Sequence, residues 1–288
     1  MHRLARTVRL TINPPRPPGP GGPDAGGSPG AASNAFAGAP TMRGLGRFYE
    51  IEVVCTGEPD AQTGYLLDIK EIDGMVRAHV APIIEGACAT RAWTDAAELM
   101  PALWAGASGR LRAPLACLRW RLTPTYAVEM HAIDQGGARR PGEGSGVVVL
   151  RQQFDFAAAH RLHVPGVSEE QNRTLFGRCN NPAGHGHNYR LEVAVAMEVA
   201  PGAPPALSLA EIERLTTESV VDRFDHKHLN VDTAEFAPGS GVIPSVERIA
   251  EVAYGLLAPR VAEASRGRAA LREITVWETD RTSSTYPG

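Results

Sequence analysis

Cysteine is scarce in this chain, and long apolar runs are missing. Four cysteines occur among the 288 residues, at positions 55, 88, 117 and 179, and no two of them form a C-x-x-C pair. This spacing excludes a disulfide-stapled scaffold and favours a reducing, cytoplasmic compartment. No stretch is apolar over the roughly 20 residues of a membrane span, and none resembles the core of a signal peptide.

An excess of basic residues is lacking as well. The formal net charge is -3, and neither half of the chain carries a dense stripe of lysine or arginine. The composition therefore argues against nucleic acid and against an anionic membrane as partners. The 43% content of hydrophobic residues is sufficient for compact cores, and the length suits two domains.

Two segments have the composition of linkers. Residues 14–43 are mainly Pro, Gly, Ala and Ser, which predicts a flexible insertion, because such a sequence buries too little apolar surface to become ordered. Residues 135–146 are rich in Gly and divide the chain almost in half. We therefore expect one domain over 1–134, a linker over 135–146, and a second domain over 147–288.

The two halves contain a weak internal repeat. Shifted by 140 residues, positions 44–72 match positions 184–212 at nine of 29 places, where ordinary composition gives roughly two or three. The matching residues in the first copy are Gly44, Gly46, Tyr49, Glu52, Val53, Glu58, Leu67, Glu71 and Ile72. Apolar periodicity, helix caps such as Ser208 with Glu211, and alternating strands predict the order ββααββ in each half.

Three histidines in the second half have the spacing of a metal site. His185 and His187 are two residues apart in a predicted strand, so their side chains point to one face. His160 ends the preceding apolar run, and a hairpin would bring it beside the pair. Three neutral imidazoles suit zinc and leave a fourth position for water or substrate, as in catalytic zinc sites. Exposed, unrelated histidines are the alternative, which the bare glycines on either side of His185 argue against.

Cys179 permits two interpretations. As a fourth ligand the thiol would close the site and make the metal structural. Held beside the cation without binding it, the thiol would lose its proton readily and act as a base or nucleophile.

A family resemblance follows from these motifs in their order. The segment 168–189 reads SEEQNRTLFGRCNNPAGHGHNY, and it is followed by Asp225-His226, by a helix start at 244–247, and by the sequence WETD at 277–280. Over about residues 147–288 the chain resembles the 6-pyruvoyltetrahydropterin synthase family, which includes 6-carboxytetrahydropterin synthases. The Ser-Val pair at 245–246 departs from the Thr-bearing pattern that is usual in the family.

The resemblance implies a role for each site residue. His160, His185 and His187 would hold Zn²⁺, Cys179 and His226 would relay protons, and Asp225 would orient His226. Glu278 would accept paired hydrogen bonds from a pterin and join the proton relay. Without the resemblance, Asp225-His226 also fits a helix terminus with a favourable dipole, and Glu278 fits a solvent-facing strand charge. His163 and His228 are expected to be exposed.

The resemblance also implies a fold and an assembly. Its members have the α+β tunnelling fold, in which four-stranded antiparallel sheets close into a β-barrel with the helices outside. With two such units in each chain, three chains supply six units, so we expect a homotrimer. The first copy has Leu45 and Arg47 in place of His185 and His187, so we expect it to be degenerate and to bind no ion.

The implied activity is that of a zinc-dependent lyase acting on 7,8-dihydroneopterin triphosphate. It would eliminate triphosphate and give 6-pyruvoyltetrahydropterin or, as in queuosine-type deazapurine biosynthesis, 6-carboxytetrahydropterin. Five residues separate Cys179 from His185, as in the pyruvoyl branch. Two alternatives remain, a non-catalytic pterin- and zinc-binding assembly protein and another tunnelling-fold enzyme such as a cyclohydrolase.

Overall fold

A computed structural model describes residues 1–14, 36–90, 93, 95–132 and 146–287. Its contacts divide the chain into two units, Met1–Leu150 with Glu198–Pro205, and Arg151–Met197 with Ala206–Gly288. Most of the expected flexible insertion and nearly all of the expected linker lie outside the described residues. Residues 36–43 are described, and there Ala39 donates its N–H to the Arg9 carbonyl and accepts a bond from the Thr11 amide.

The first unit has the predicted order of two strands, helices and two strands. Its strands are β1 (His2–Ile12), β2 (Arg47–Gly57), β3 (Leu115–Arg121) and β4 (Tyr126–His131). Its helices are α1 (Ile69–Met75), α2 (Ala81–Thr90) and α3 (Met100–Ala107), with a π-helical turn at Val76–Val80 and a 3-10 turn at Ala96–Leu99. The strands pair antiparallel in the order β1-β2-β3-β4. Asp95 caps the start of the 3-10 turn, and its reciprocal bonds with Glu98 form a capping box.

The second unit repeats this order with additional short elements. Its strands are β5 (Val147–His160), β6 (His185–Glu198), β7 (Lys227–His228), β8 (Ala269–Thr279) and β9 (Thr282–Tyr286). Its helices are α4 (Glu169–Phe176), α5 (Leu209–Thr216), α6 (Asp222–Phe224), α7 (Leu229–Asp232) and α8 (Val246–Ala264), with a 3-10 turn at Gly177–Asn180 and a π-helical turn at Thr217–Val221. The sheet order is β5-β6-β8-β9, and β7 pairs with β5. The predicted α+β class is confirmed.

The two units share local irregularities at equivalent positions. The β2–β3 register shifts between Val54 and Cys55, and the β6–β8 register shifts between Ala194 and Val195, 140 residues further on. The π-helical turns at Val76–Val80 and Thr217–Val221 are related by a similar offset. π-helical turns and β-bulges are uncommon in regular helices and strands. Their recurrence at equivalent positions is therefore a second sign of an internal repeat, in addition to the nine identical residues.

Helix α4 lies in the polar stretch between His160 and Cys179. Ser168 accepts a bond from the Gln171 amide and Gln171 bonds back, so a capping box starts the helix. The buried residue of the helix is Asn172, whose side chain exchanges hydrogen bonds with the Val164 backbone. The helix is held by polar contacts, which is why a search for apolar periodicity does not find it.

Apolar residues of the central strands are buried in the single chain. Leu118 and Trp120 are at most 1% exposed, and Ile274 and Val276 are fully buried. These four side chains therefore need no cover from another subunit. None of the helices in the described part of the chain combines the length and the apolar character that crossing a bilayer demands.

Candidate metal centre and active site

Three histidines converge in the second unit. His160 ends β5, while His185 and His187 begin the neighbouring strand β6 on a shared face. The Nε2 atoms of His160 and His185 are 3.1 Å apart. One ring nitrogen from each of the three lies within 4.8 Å of the others. The structure therefore brings together the three predicted ligands.

The protonation pattern of His160 leaves its Nε2 available as a ligand. Its Nδ1 is 2.6 Å from the Pro244 carbonyl oxygen, which only accepts, so Nδ1 carries the proton. The side chain is fully buried, and desolvation lowers its pKa to about 4. Burial also lowers the pKa of His185. Both rings are therefore neutral near pH 7, the form that binds metal ions.

Electron-rich atoms face one another at this point. The Oε1 atom of Glu278 lies 3.3 Å from the His160 Nε2 and 3.5 Å from the His187 Nε2. Two ring nitrogens, His185 Nδ1 and His187 Nε2, are buried without a hydrogen-bond partner in the described residues. Neutral imidazole nitrogens and a carboxylate oxygen at these distances form a donor set that a divalent cation can occupy. The residues present therefore fit a metal ion.

The β6–β8 register explains why Glu278 reaches the histidines. Arg190 pairs with Trp277, and continuing the antiparallel register by one residue puts Glu278 opposite Tyr189. Tyr189 follows His185 and His187 at the same period of two, so all four side chains share one face. Glu278 is mostly buried, and its interpretation as a solvent-facing strand charge is wrong.

Tyr189 is a site residue that the sequence analysis did not identify. Its hydroxyl lies 3.4 Å from both ring nitrogens of His160, and its ring stacks on Phe156 with the centroids 5.0 Å apart. Burial raises the pKa of this phenol, and the charges of Glu278 and Cys179 raise it further. The phenol therefore stays neutral and holds His160 in place. The sequence did contain a signal for this residue, because continuing the alternation of His185 and His187 by two positions reaches Tyr189 on the same face of β6.

Cys179 lies near this group but outside the donor cluster. It sits in the 3-10 turn Gly177–Asn180, and its carbonyl accepts a 2.9 Å bond from the Leu162 amide. Arg161 binds both oxygens of the next residue, Asn180. These bonds fix the turn against the residues that follow His160. In the described residues the second unit's cluster of donors consists of the three histidines.

Asp225 and His226 form a hydrogen-bonded pair in the turn after α6. Asp225 accepts the Ala157 amide through Oδ1 at 2.8 Å and the His226 Nδ1 through Oδ2 at 2.8 Å. These two bonds, that from Ala157 first, lower the pKa of Asp225. His226 has a φ of 56°, unusual for a residue other than glycine, and its amide binds the Ala157 carbonyl at 2.6 Å. The pair is thus tied to β5 and not merely placed at a helix terminus.

An open cleft of about 500 Å³ lies beside the histidines. It is lined by Ala157, Ala158, Ala159, Gly186, His187, Asn188, His226, Lys227 and His228. His228 is half-buried, and so is His163, which contacts Asn180; both were expected to be exposed. Gly184 adopts a φ of +74°, and a Cβ there would meet the His228 Nε2 at 2.6 Å. The cleft is thus lined both by His187, a candidate metal ligand, and by His226, whose Nδ1 is bound to Asp225.

Comparison with known proteins gives a consistent family. The family model for 6-pyruvoyl tetrahydropterin synthase matches residues 149–288. Human 6-pyruvoyl tetrahydrobiopterin synthase is 33% identical over 154 residues, covering 54% of this chain and 97% of the human protein. The enzyme of that name from Poecilia reticulata is 34% identical over 148 residues, covering 51% of this chain and 94% of that protein. The solved 6-pyruvoyl tetrahydropterin synthase of Caenorhabditis elegans is 31% identical and covers 53% of this chain and 99% of its own, with a TM-score of 0.44.

Proposed function

Because the chain belongs to the 6-pyruvoyl tetrahydropterin synthase family, we propose that its second unit acts on 7,8-dihydroneopterin triphosphate and eliminates triphosphate. The observation that carries the proposal is the convergence of His160, His185, His187 and Glu278 on one point beside the cleft. A tetrahydropterin synthase needs a metal site, groups that move protons, and room for a flat ligand. Each requirement has a counterpart among these residues.

Zinc is the proposed ion, held by the three histidines. Neutral imidazole nitrogens are the ligands that zinc prefers, and the Pro244 carbonyl is the outer partner that keeps the His160 tautomer. When bound, the ion would polarise the side-chain hydroxyl groups of the substrate and make the neighbouring C–H bonds more acidic. Three protein ligands leave a position for the substrate, which fits a catalytic site better than a structural one.

Proton transfer is assigned to Cys179 and His226. Asp225 holds the His226 Nδ1, so the Nε2 of that ring remains to accept or return a proton in the cleft that it lines. The Asp225 carboxylate accepts from the Ala157 amide and the His226 amide donates to the Ala157 carbonyl, so this geometry is kept without help from the substrate. Cys179 is the proposed base at the substrate side chain, beside the metal site and near the Tyr189 hydroxyl.

For Glu278, two roles follow from the family, and we propose both. A carboxylate 3.3 Å from the His160 Nε2 can bind a hydroxyl or water at the metal site and take up its proton. The same carboxylate is the proposed anchor of the pterin, where it would accept paired hydrogen bonds from the ring.

The proposed product is 6-pyruvoyltetrahydropterin. Relatives at 33% and 34% identity carry that activity in their names, and the five-residue interval between Cys179 and His185 agrees with it. The alternative product is 6-carboxytetrahydropterin, formed with loss of acetaldehyde. Mass spectrometry after incubation with 7,8-dihydroneopterin triphosphate distinguishes the two. An unconverted substrate that nevertheless binds would instead favour the non-catalytic binding protein.

The first unit is proposed to be a degenerate copy of the second, retained for assembly. The shared register shifts and π-helical turns support a common origin. In the described residues β9 has a single strand neighbour, β8, so it offers an unpaired edge. Closure of sheets from three chains into barrels would remove such edges.

The assembly is tested by light scattering on the full chain and on residues 145–288 alone. We expect the full chain to be a trimer and the fragment to aggregate or to turn over poorly. A soluble, fully active hexamer of the fragment would show that the first unit is dispensable.

A further inference from the structure

A second cluster of metal-binding side chains lies in the first unit. Cys117 on β3 is directly opposite His131 on β4, and Arg119 is opposite Glu129. Because alternate residues share a face, all four side chains lie on one face of the sheet. Cys117 is 2% exposed and Glu129 is fully buried. A thiol, a carboxylate and an imidazole therefore meet in a largely dry setting.

The spacing of the donor atoms suits one ion. The His131 Nε2 lies 2.9 Å from the Glu129 Oε1 and 4.0 Å from the Cys117 Sγ, and all three atoms are within 4.8 Å of one another. Ligand atoms on a tetrahedral zinc are about 3.3–3.6 Å apart, given Zn–N of about 2.0–2.1 Å and Zn–S of about 2.3 Å. The two distances from the His131 Nε2 differ from this spacing by a few tenths of an ångström, as does the 3.1 Å distance between the His160 and His185 Nε2 atoms.

Charged groups orient the carboxylate of the cluster. Arg119 donates to the Glu129 Oε2 at 2.5 Å and lies 3.4 Å from the Glu52 Oε1. The other oxygen, Glu129 Oε1, faces the His131 Nε2. A divalent ion bound here would take the place of the protons on the His131 nitrogen and the Cys117 thiol, since metal ligands bind in their deprotonated forms.

We propose that Cys117 Sγ, Glu129 Oε1 and His131 Nε2 bind a second divalent ion of the zinc type, which crosslinks β3 and β4. Sulfur, nitrogen and carboxylate oxygen are the donor set of zinc and not of calcium or magnesium. Arg119 is the outer partner that orients the carboxylate. We expected no ion in the first unit because Leu45 and Arg47 stand at the positions equivalent to His185 and His187. The new donors lie elsewhere, on the β3–β4 hairpin, so this site is not a remnant of the catalytic one.

The test is metal stoichiometry of the full-length chain after reconstitution with zinc. We expect about two ions in the wild type, about one in Cys117→Ser, and about one in His185→Ala. Cys55→Ser is the matched control, because Cys55 is also a buried thiol in the first unit but lies outside the cluster, and it should keep both ions.

Cobalt(II) provides a readout that is independent of turnover. A thiolate ligand gives a ligand-to-cobalt charge-transfer band in the near ultraviolet, whereas an all-histidine site gives none. The band should appear in the wild type, persist in Cys179→Ser and vanish in Cys117→Ser. A wild-type stoichiometry of one zinc, or a band that disappears with Cys179 and not with Cys117, would overturn the proposal. If Cys117→Ser does not fold, the zinc stoichiometry of the wild type and the cobalt band of Cys179→Ser still test the proposal. Neither result depends on the proposed catalytic activity.

Discussion

Gly184 is the residue at which one methyl group should most clearly disturb the metal centre. It has a φ of +74°, and an added Cβ would lie 2.6 Å from the His228 Nε2 and 3.0 Å from the His160 carbonyl oxygen. Gly267, in the same unit, has a φ of +75° with nothing within 4 Å of the added atom. The two Gly→Ala variants therefore share the backbone strain and differ in the collision.

The magnitudes follow from this difference. Holding an alanine in the left-handed backbone conformation costs about 1–2 kcal/mol, so both variants should be destabilised by that amount. Forcing a methyl group against a packed imidazole and a backbone carbonyl adds about 1–3 kcal/mol in Gly184→Ala. We therefore expect Gly267→Ala to lose about 1–2 kcal/mol of the free energy of unfolding and Gly184→Ala about 2–5 kcal/mol.

Urea unfolding of the metal-depleted variants measures the free energies, and a zinc titration with a competing chelator measures affinity. Because Gly184 precedes His185, the displaced backbone should weaken zinc binding by about tenfold or more, equivalent to about 1.4 kcal/mol. Gly267→Ala should bind zinc like the wild type. Equal destabilisation in the two variants, with unchanged zinc affinity in both, would refute the packing account of Gly184.

Two further predictions concern the catalytic groups and acid stability. Cys179→Ala should keep its metal and its ability to bind a pterin but lose most turnover, whereas Glu278→Ala should bind the pterin itself more weakly. Release of zinc by Cys179→Ala would show that the thiol is a ligand. Burial lowers the pKa of His160 to about 4 from 6.5, so the unfolded chain takes up the proton first on acidification. The metal-free protein should therefore lose up to about 3 kcal/mol of stability between about pH 6.5 and pH 4. His160→Gln should flatten that slope in urea titrations, and an unchanged slope would contradict the assignment.

Short-range patterns made much of the second unit predictable. A period of two identifies His185 and His187 as one face, and side-chain caps locate the starts of α5 and α8 at Ser208 and Ser245. These features depend on residues within one turn or one strand. The ββααββ order could be read in the same way, whereas the short elements α4, α6, β7 and α7 could not.

Features that depend on distant partners could not be read from the sequence. The bond between the His160 ring and the Pro244 carbonyl joins residues 84 apart, and the position of Glu278 follows from the β6–β8 register. Cys117 and His131 look like ordinary residues on separate strands until the β3–β4 pairing sets them opposite each other. In each case the decisive fact is a tertiary contact with no local signature.

The most direct test of the catalytic account is the turnover of 7,8-dihydroneopterin triphosphate by metal-depleted protein as zinc is added back. The wild type should be inactive without metal and should recover triphosphate release and tetrahydropterin formation as zinc binds. His185→Ala should remain inactive at the same zinc concentrations, although its first unit is intact. Full turnover by the metal-depleted wild type, or recovery by His185→Ala equal to that of the wild type, would contradict the assignment of the reaction to the His160–His185–His187 site.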